Sequence, residues 1–173
     1  MGEILALYEK GIWFGFAAIG FAILFNVPAR TLLIIWVMAA MGGLTKVLMI
    51  HYLLVGPVFA SLCGASLIGI LSIPAAHYKH VPPMVFAIPA AIPMVPGVFA
   101  YRTMLGLIKL AGDHVIANYN ETIADTLNNG LKAMFIIMAL AGGVAIPMLI
   151  TRKESAKEMK LRKRNANMDL EVE

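Results

Sequence analysis

The chain has 173 residues, 60% of them hydrophobic and 14% charged, with mean hydropathy +0.81. A soluble domain carries about a quarter charged residues, so this composition excludes a sizeable water-soluble domain and points to an integral membrane protein. The formal net charge of +4 comes largely from the segment after Thr151, which makes it a topology signal and not a nucleic-acid surface.

A bilayer span needs about twenty apolar residues. The first predicted span runs from Ile4 to Phe25 and is closed by Asn26-Val27-Pro28-Ala29-Arg30. Glu3 and Glu9, with Lys10 as the only early basic side chain, lack the positive start of a signal peptide, so this span is expected to be permanent. The second runs from Thr31 to Ile50, and the third from Leu53 to Ile73, followed by a polar stretch with His77, Lys79 and His80. The fourth runs from Met84 to Leu110 and the fifth from Leu131 to Ile150. The predicted fold is therefore all-α, with about five transmembrane helices. One membrane domain covers residues 1–151 and a basic cytoplasmic tail covers 152–173. Its last residues, from Asp169, are expected to be disordered. Arg30, Lys79 and the tail cations on one side, against Asp113, Glu121 and Asp125 on the other, place the N-terminus outside and the C-terminus inside. Basic tail residues also suit anionic lipid.

The fourth segment is the most informative. It carries Pro89, Pro93, Pro96 and Gly97 inside an apolar run. A proline in a helix removes a hydrogen bond and clashes with the preceding turn. Such breaks often build transporter sites, although an ordinary proline-kinked helix has the same signature. A re-entrant hairpin here would make the span count even. Gly97 is expected to permit backbone that a side chain would strain or block.

Charge inside a span is costly. Lys10, Lys46 and Lys132 lie near predicted segment ends and are expected to snorkel to the interface. Arg102 closely follows Pro96-Gly97. It is either a carboxylate clamp beside a restarted helix N-terminus or an interfacial anchor. Between the last two spans, Val115, Tyr119, Ile123 and Leu127 repeat at i+4 and predict an amphipathic helix. That helix either lies at the interface or extends the fifth span; a functional lid is the other reading. Small-residue pairs (Ala39/Gly43, Gly56/Ala60, Ala65/Gly69, Ala139/Gly143) predict close helix approach. No acid–base pair, activated nucleophile, metal cluster or phosphate loop is recognisable. The expectation is a protein that is not an enzyme and uses no metal or cofactor. Cys63 stands alone and offers no disulfide.

The segments "FAILFNVPARTL", "IPMVPGVFAYRTM" and "ALAGGVAIPML" resemble the threonine/serine exporter family, and more closely its small, B-type subunit. The resemblance covers roughly Leu7 to Ile150. It implies export of threonine and serine, or of succinate for the two-component type, and a larger partner subunit. It implies residence in the bacterial inner membrane; an oligomer is left open. The motif positions carried over are Asn26 and Pro28 as structural residues, and Pro93, Pro96, Gly97 and Tyr101 near the substrate, joined by Arg102 from the charge argument. Missing intramembrane carboxylates assign any proton relay to the partner. A scaffold subunit without its own pathway is the alternative.

Overall fold

A computed structural model describes residues 2–112 and 119–170, with side chains described for 7–112 and 119–151. The described residues form α1 (Gly2–Leu24), α2 (Leu32–Tyr52), α3 (Pro57–Lys79), α4 (Met84–Ala91), α5 (Gly97–Ala111) and α6 (Tyr119–Leu170), with short 3-10 turns at Ala29–Thr31 and Ile92–Met94. Four helices are long and apolar enough to cross a membrane, and the pair Met84–Met94 with Gly97–Ala111, bent by 54°, passes the same test together. A 54° bend does not reverse the chain as a re-entrant hairpin must. With the bent pair as one span the helices make five crossings.

Several boundaries differ from the sequence expectation. α3 continues through Pro74 to Lys79 and does not stop near Ile73. The amphipathic stretch, from Tyr119 on, is the first part of the last membrane helix; Asp113, His114 and Val115 lie outside the described residues. Tyr119–Thr151 is 33 residues long, about 50 Å at 1.5 Å per residue, well beyond the roughly 30 Å hydrocarbon core. The helix also runs on past the expected tail boundary to Leu170, taking in Asp169.

Turn chemistry explains two connections. Asn26 has φ 54°, in the left-handed region. Its N–H reaches Ile23 O at 2.9 Å, and Val27 N–H reaches Ala22 O at 3.0 Å. This pairing closes the carbonyl end of α1. Pro28 follows, and its carbonyl accepts both Thr31 N–H (2.9 Å) and Thr31 Oγ1–H (2.7 Å). The end of α3 uses the same device: His80 has φ 52°, Val81 N–H reaches Ala76 O at 3.2 Å, and Pro82 follows. Asn26 and Pro28 thus shape the turn that closes α1.

Lipid offers no hydrophobic drive for helix pairing, so association depends on close backbone packing and hydrogen bonds. The expected small residues fill that role between α3 and α6. A Cβ on Gly143 would sit 2.7 Å from Ala65 Cβ, and one on Gly69 would sit 2.9 Å from Val144 O. Between α2 and α3, a Cβ on Gly64 would lie 2.6 Å from Gly42 O. Ile35, Ile68, Phe86, Met94 and Ile136 are buried around these crossings. Leu33, Phe59, Ile70, Met138 and Ile146 point outward, as lipid-facing positions do. Buried hydroxyls bond their own helix: Ser61 to Pro57 O at 2.7 Å and Ser72 to Gly69 O at 2.7 Å.

Candidate functional site

The prolines dictate how the fourth span breaks. Pro93 opens the 3-10 turn Ile92–Met94, whose end is closed by Val95 N–H on Ile92 O at 3.0 Å. Val95 is then extended (φ −57°, ψ 138°), as a residue before proline must be. Pro96 sits at φ −80°, ψ 59°, with Gly97 N–H on Val95 O at 2.9 Å. This is an inverse γ-turn. α5 restarts at Gly97, and its first backward bond at the break is Ala100 N–H to Pro96 O at 3.1 Å.

The break is held inside the bundle from its first half. Met94 is 1% exposed. A Cβ on Gly64 would sit 3.1 Å from Met94 Sδ, so this side chain packs on the α2–α3 crossing. The Met94 carbonyl, released by the break, accepts a hydrogen bond from Lys46 Nζ at 2.8 Å. That corrects the snorkelling expectation: Lys46 is half-buried and turned to the break. The reason was present in the sequence. Lys46 follows Gly42 by four residues and Gly43 by three, so it shares the face of α2 that packs on other helices. Lys132 likewise turns inward, with Nζ 5.9 Å from the Phe99 ring centre on the first turn of α5. Lys10 lines a shallow recess of about 310 Å³ with Trp13, Phe14, Ala17 and Pro93.

Beyond the break the surroundings change. α5 packs chiefly on α6. Gly97 has a negative φ and open space where a Cβ would stand, so neither strain nor crowding demands glycine there, against the expectation. Val98 and Tyr101 are exposed at 63% and 64%. Arg102 is exposed too, on the wall of a polar groove of about 550 Å³ between α5 and α6. Lys109, Glu121, Asp125 and Asn129 share that groove. Pro93, Pro96 and Gly97 therefore form one turn, Tyr101 lies on an open face, and Arg102 belongs to the groove. Met94 and Lys46, which make the cross-helix contact, escaped the sequence reading. A separate cavity of about 520 Å³ between α3, α4 and α6 is lined mainly by apolar groups, and its His77 Nδ1 is engaged with Ile73 O at 2.9 Å.

Comparison with known proteins adds identity to this geometry. Residues 10–150 match the family described as "Threonine/Serine exporter, ThrE". The chain belongs to the threonine/serine exporter family. A relative from Haemophilus influenzae, itself named only as an uncharacterized protein, is 30% identical over 147 residues, covering 85% of this chain and 48% of that protein. The chain thus spans about half the length of that curated relative. No solved structure matches it. A multi-pass helical membrane protein of a transporter family is the result.

Proposed function

We propose that this chain is the membrane-embedded small subunit of a secondary exporter in the bacterial inner membrane. It works with a larger partner subunit, and its substrates are small carboxylate metabolites: threonine and serine, or succinate. The observation that carries the reading is the 54° break at Met94–Gly97 within the span that crosses the helix bundle. Broken membrane helices persist where protein or a water-lined path satisfies the released backbone groups. Pro93 and Pro96 shape the turn, Gly97 and Tyr101 leave one side of it open, and Arg102 stands in the polar groove further along.

Efflux from cells overproducing threonine, serine or succinate tests the reading. The cells express this chain, the larger subunit, or both. Efflux is expected only with both. Efflux by the purified chain alone in liposomes refutes the partnership. Equal efflux by the larger subunit with and without this chain leaves the pathway to the partner and makes this chain a scaffold.

A further inference from the structure

One lysine bonds the break directly, and two more lie on elements beside it. Lys46 of α2 bonds the Met94 carbonyl at 2.8 Å, Lys132 of α6 stands over Phe99 at 5.9 Å, and Lys10 of α1 shares a recess with Pro93. Among the described residues, no carboxylate pairs with Lys46. Glu9 accepts from Trp13 Nε1 at 3.4 Å, and Glu121 and Asp125 line the α5–α6 groove. Positive charge has thus been drawn to residues 93–99 without a counter-ion for Lys46 among the described residues. An intramembrane cation is expensive; such residues pair with one another or with backbone carbonyls, and they mark substrate and ion pathways.

We propose that Lys46 forms an anion site at the break that holds the substrate's carboxylate; the assignment of that anion as substrate rests on the export reading above. The ammonium carries three donors on a flexible stem, and Met94 O uses one of them. Met94 O is a neutral acceptor. A carboxylate makes a charge-assisted bond roughly twice as strong, so an arriving carboxylate takes the ammonium as its main partner. The Met94 carbonyl is the resting partner that keeps Lys46 at the turn. No protein atom lies within 4 Å of a Cβ built at Gly97. Arg102, in a groove it shares with two carboxylates, is less suited to hold an anion.

A purely structural Lys46, serving only to satisfy Met94 O, would show no ligand preference. The test follows thermal unfolding of the purified full chain in detergent while succinate, threonine or threonine amide is titrated. Wild type is expected to gain Tm with the two carboxylates and not with the amide. Lys46→Gln can still donate to Met94 O and is expected to fold and lose the response. Lys46→Arg is expected to keep it. Carboxylate stabilisation of Lys46→Gln equal to wild type overturns the site, and so does a wild type indifferent to both carboxylates. Efflux by the co-expressed pair separates the two claims. Wild-type efflux with unchanged concentration dependence in Lys46→Gln sinks the role of Lys46 alone. No efflux by the wild-type pair sinks the export reading.

Discussion

Two helix crossings in this molecule are built on opposite rules. Where α3 meets α6, glycines bring backbones together, and an added Cβ on Gly143 would come within 2.7 Å of Ala65. Where the fourth span meets α2, the helix instead gives up its own hydrogen bonding, and a lysine reaches across at 2.8 Å to the released carbonyl. Both placements cost something in a bilayer: small side chains forgo packing volume, and a buried ammonium forgoes water. The first cost is recovered as helix association. The second is recovered structurally only in part, because Met94 O is a single neutral acceptor. The difference sets the stability of the α3–α6 crossing against the transport role proposed for the break.

The sharpest separation comes from changing one crossing and leaving the other. Gly143→Leu forces a side chain into backbone and Ala65, an overpacking that costs on the order of 1–3 kcal/mol or more. Membrane abundance on immunoblots is expected to fall to a small fraction of wild type. Normal abundance with normal efflux would show that the two helices are free to separate. Pro96→Ala addresses the other crossing. It removes the ring that fixes the turn, and the protein is expected to insert normally while export drops about tenfold or more, as misplaced binding groups do. Unchanged initial efflux rates, normalised to abundance, would make the break a passive kink.

Smaller effects are expected beyond the break. Arg102→Ala removes an exposed cation from a groove shared with Glu121 and Asp125. Exposed charges of this kind contribute about 0–1 kcal/mol, so half-saturating substrate should move by no more than about fivefold. A far larger shift in concentration-dependent efflux would restore Arg102 as the carboxylate holder. Gly97→Ala is the mildest change, because a Cβ there meets nothing within 4 Å. Abundance and Tm in detergent should match wild type, and a clear loss of either would reveal a neighbour that fills that space in the assembled complex.

Much of the architecture was legible because a bilayer allows few solutions. Apolar runs of span length, Asn26-Val27-Pro28 as a turn, and the proline run as a break all follow from backbone chemistry acting locally. The Ala65/Gly69 and Ala139/Gly143 faces were readable as close-packing surfaces for the same reason. The inward turn of Lys46 was not read, although its spacing from Gly42 and Gly43 put it on the packed face. Snorkelling competes with burial for any lysine near a helix end, and only the partner's position decides between them. Met94 gave no signal: its side chain is an ordinary apolar one, and its carbonyl matters only because of where the chain breaks. The boundary of α3 was missed because the polar stretch with His77, Lys79 and His80 reads as a loop, whereas the helix continues through Pro74 to Lys79. Val98 and Tyr101 illustrate the remaining gap. Both are exposed on α5 after a 54° bend, an angle that residue pattern does not encode.

Accessibility of the break under transport conditions tests the central claim most directly. Val98→Cys in a Cys63→Ala background places one thiol on the first turn of α5, at a position 63% exposed. Its maleimide labelling rate is measured in membranes containing both subunits, with and without saturating succinate or threonine. If the break holds the carboxylate, the exported carboxylate slows labelling, threonine amide does not, and Lys46→Gln abolishes the protection. A labelling rate that ignores saturating carboxylate, in membranes that still export it, would contradict the account and move the pathway elsewhere.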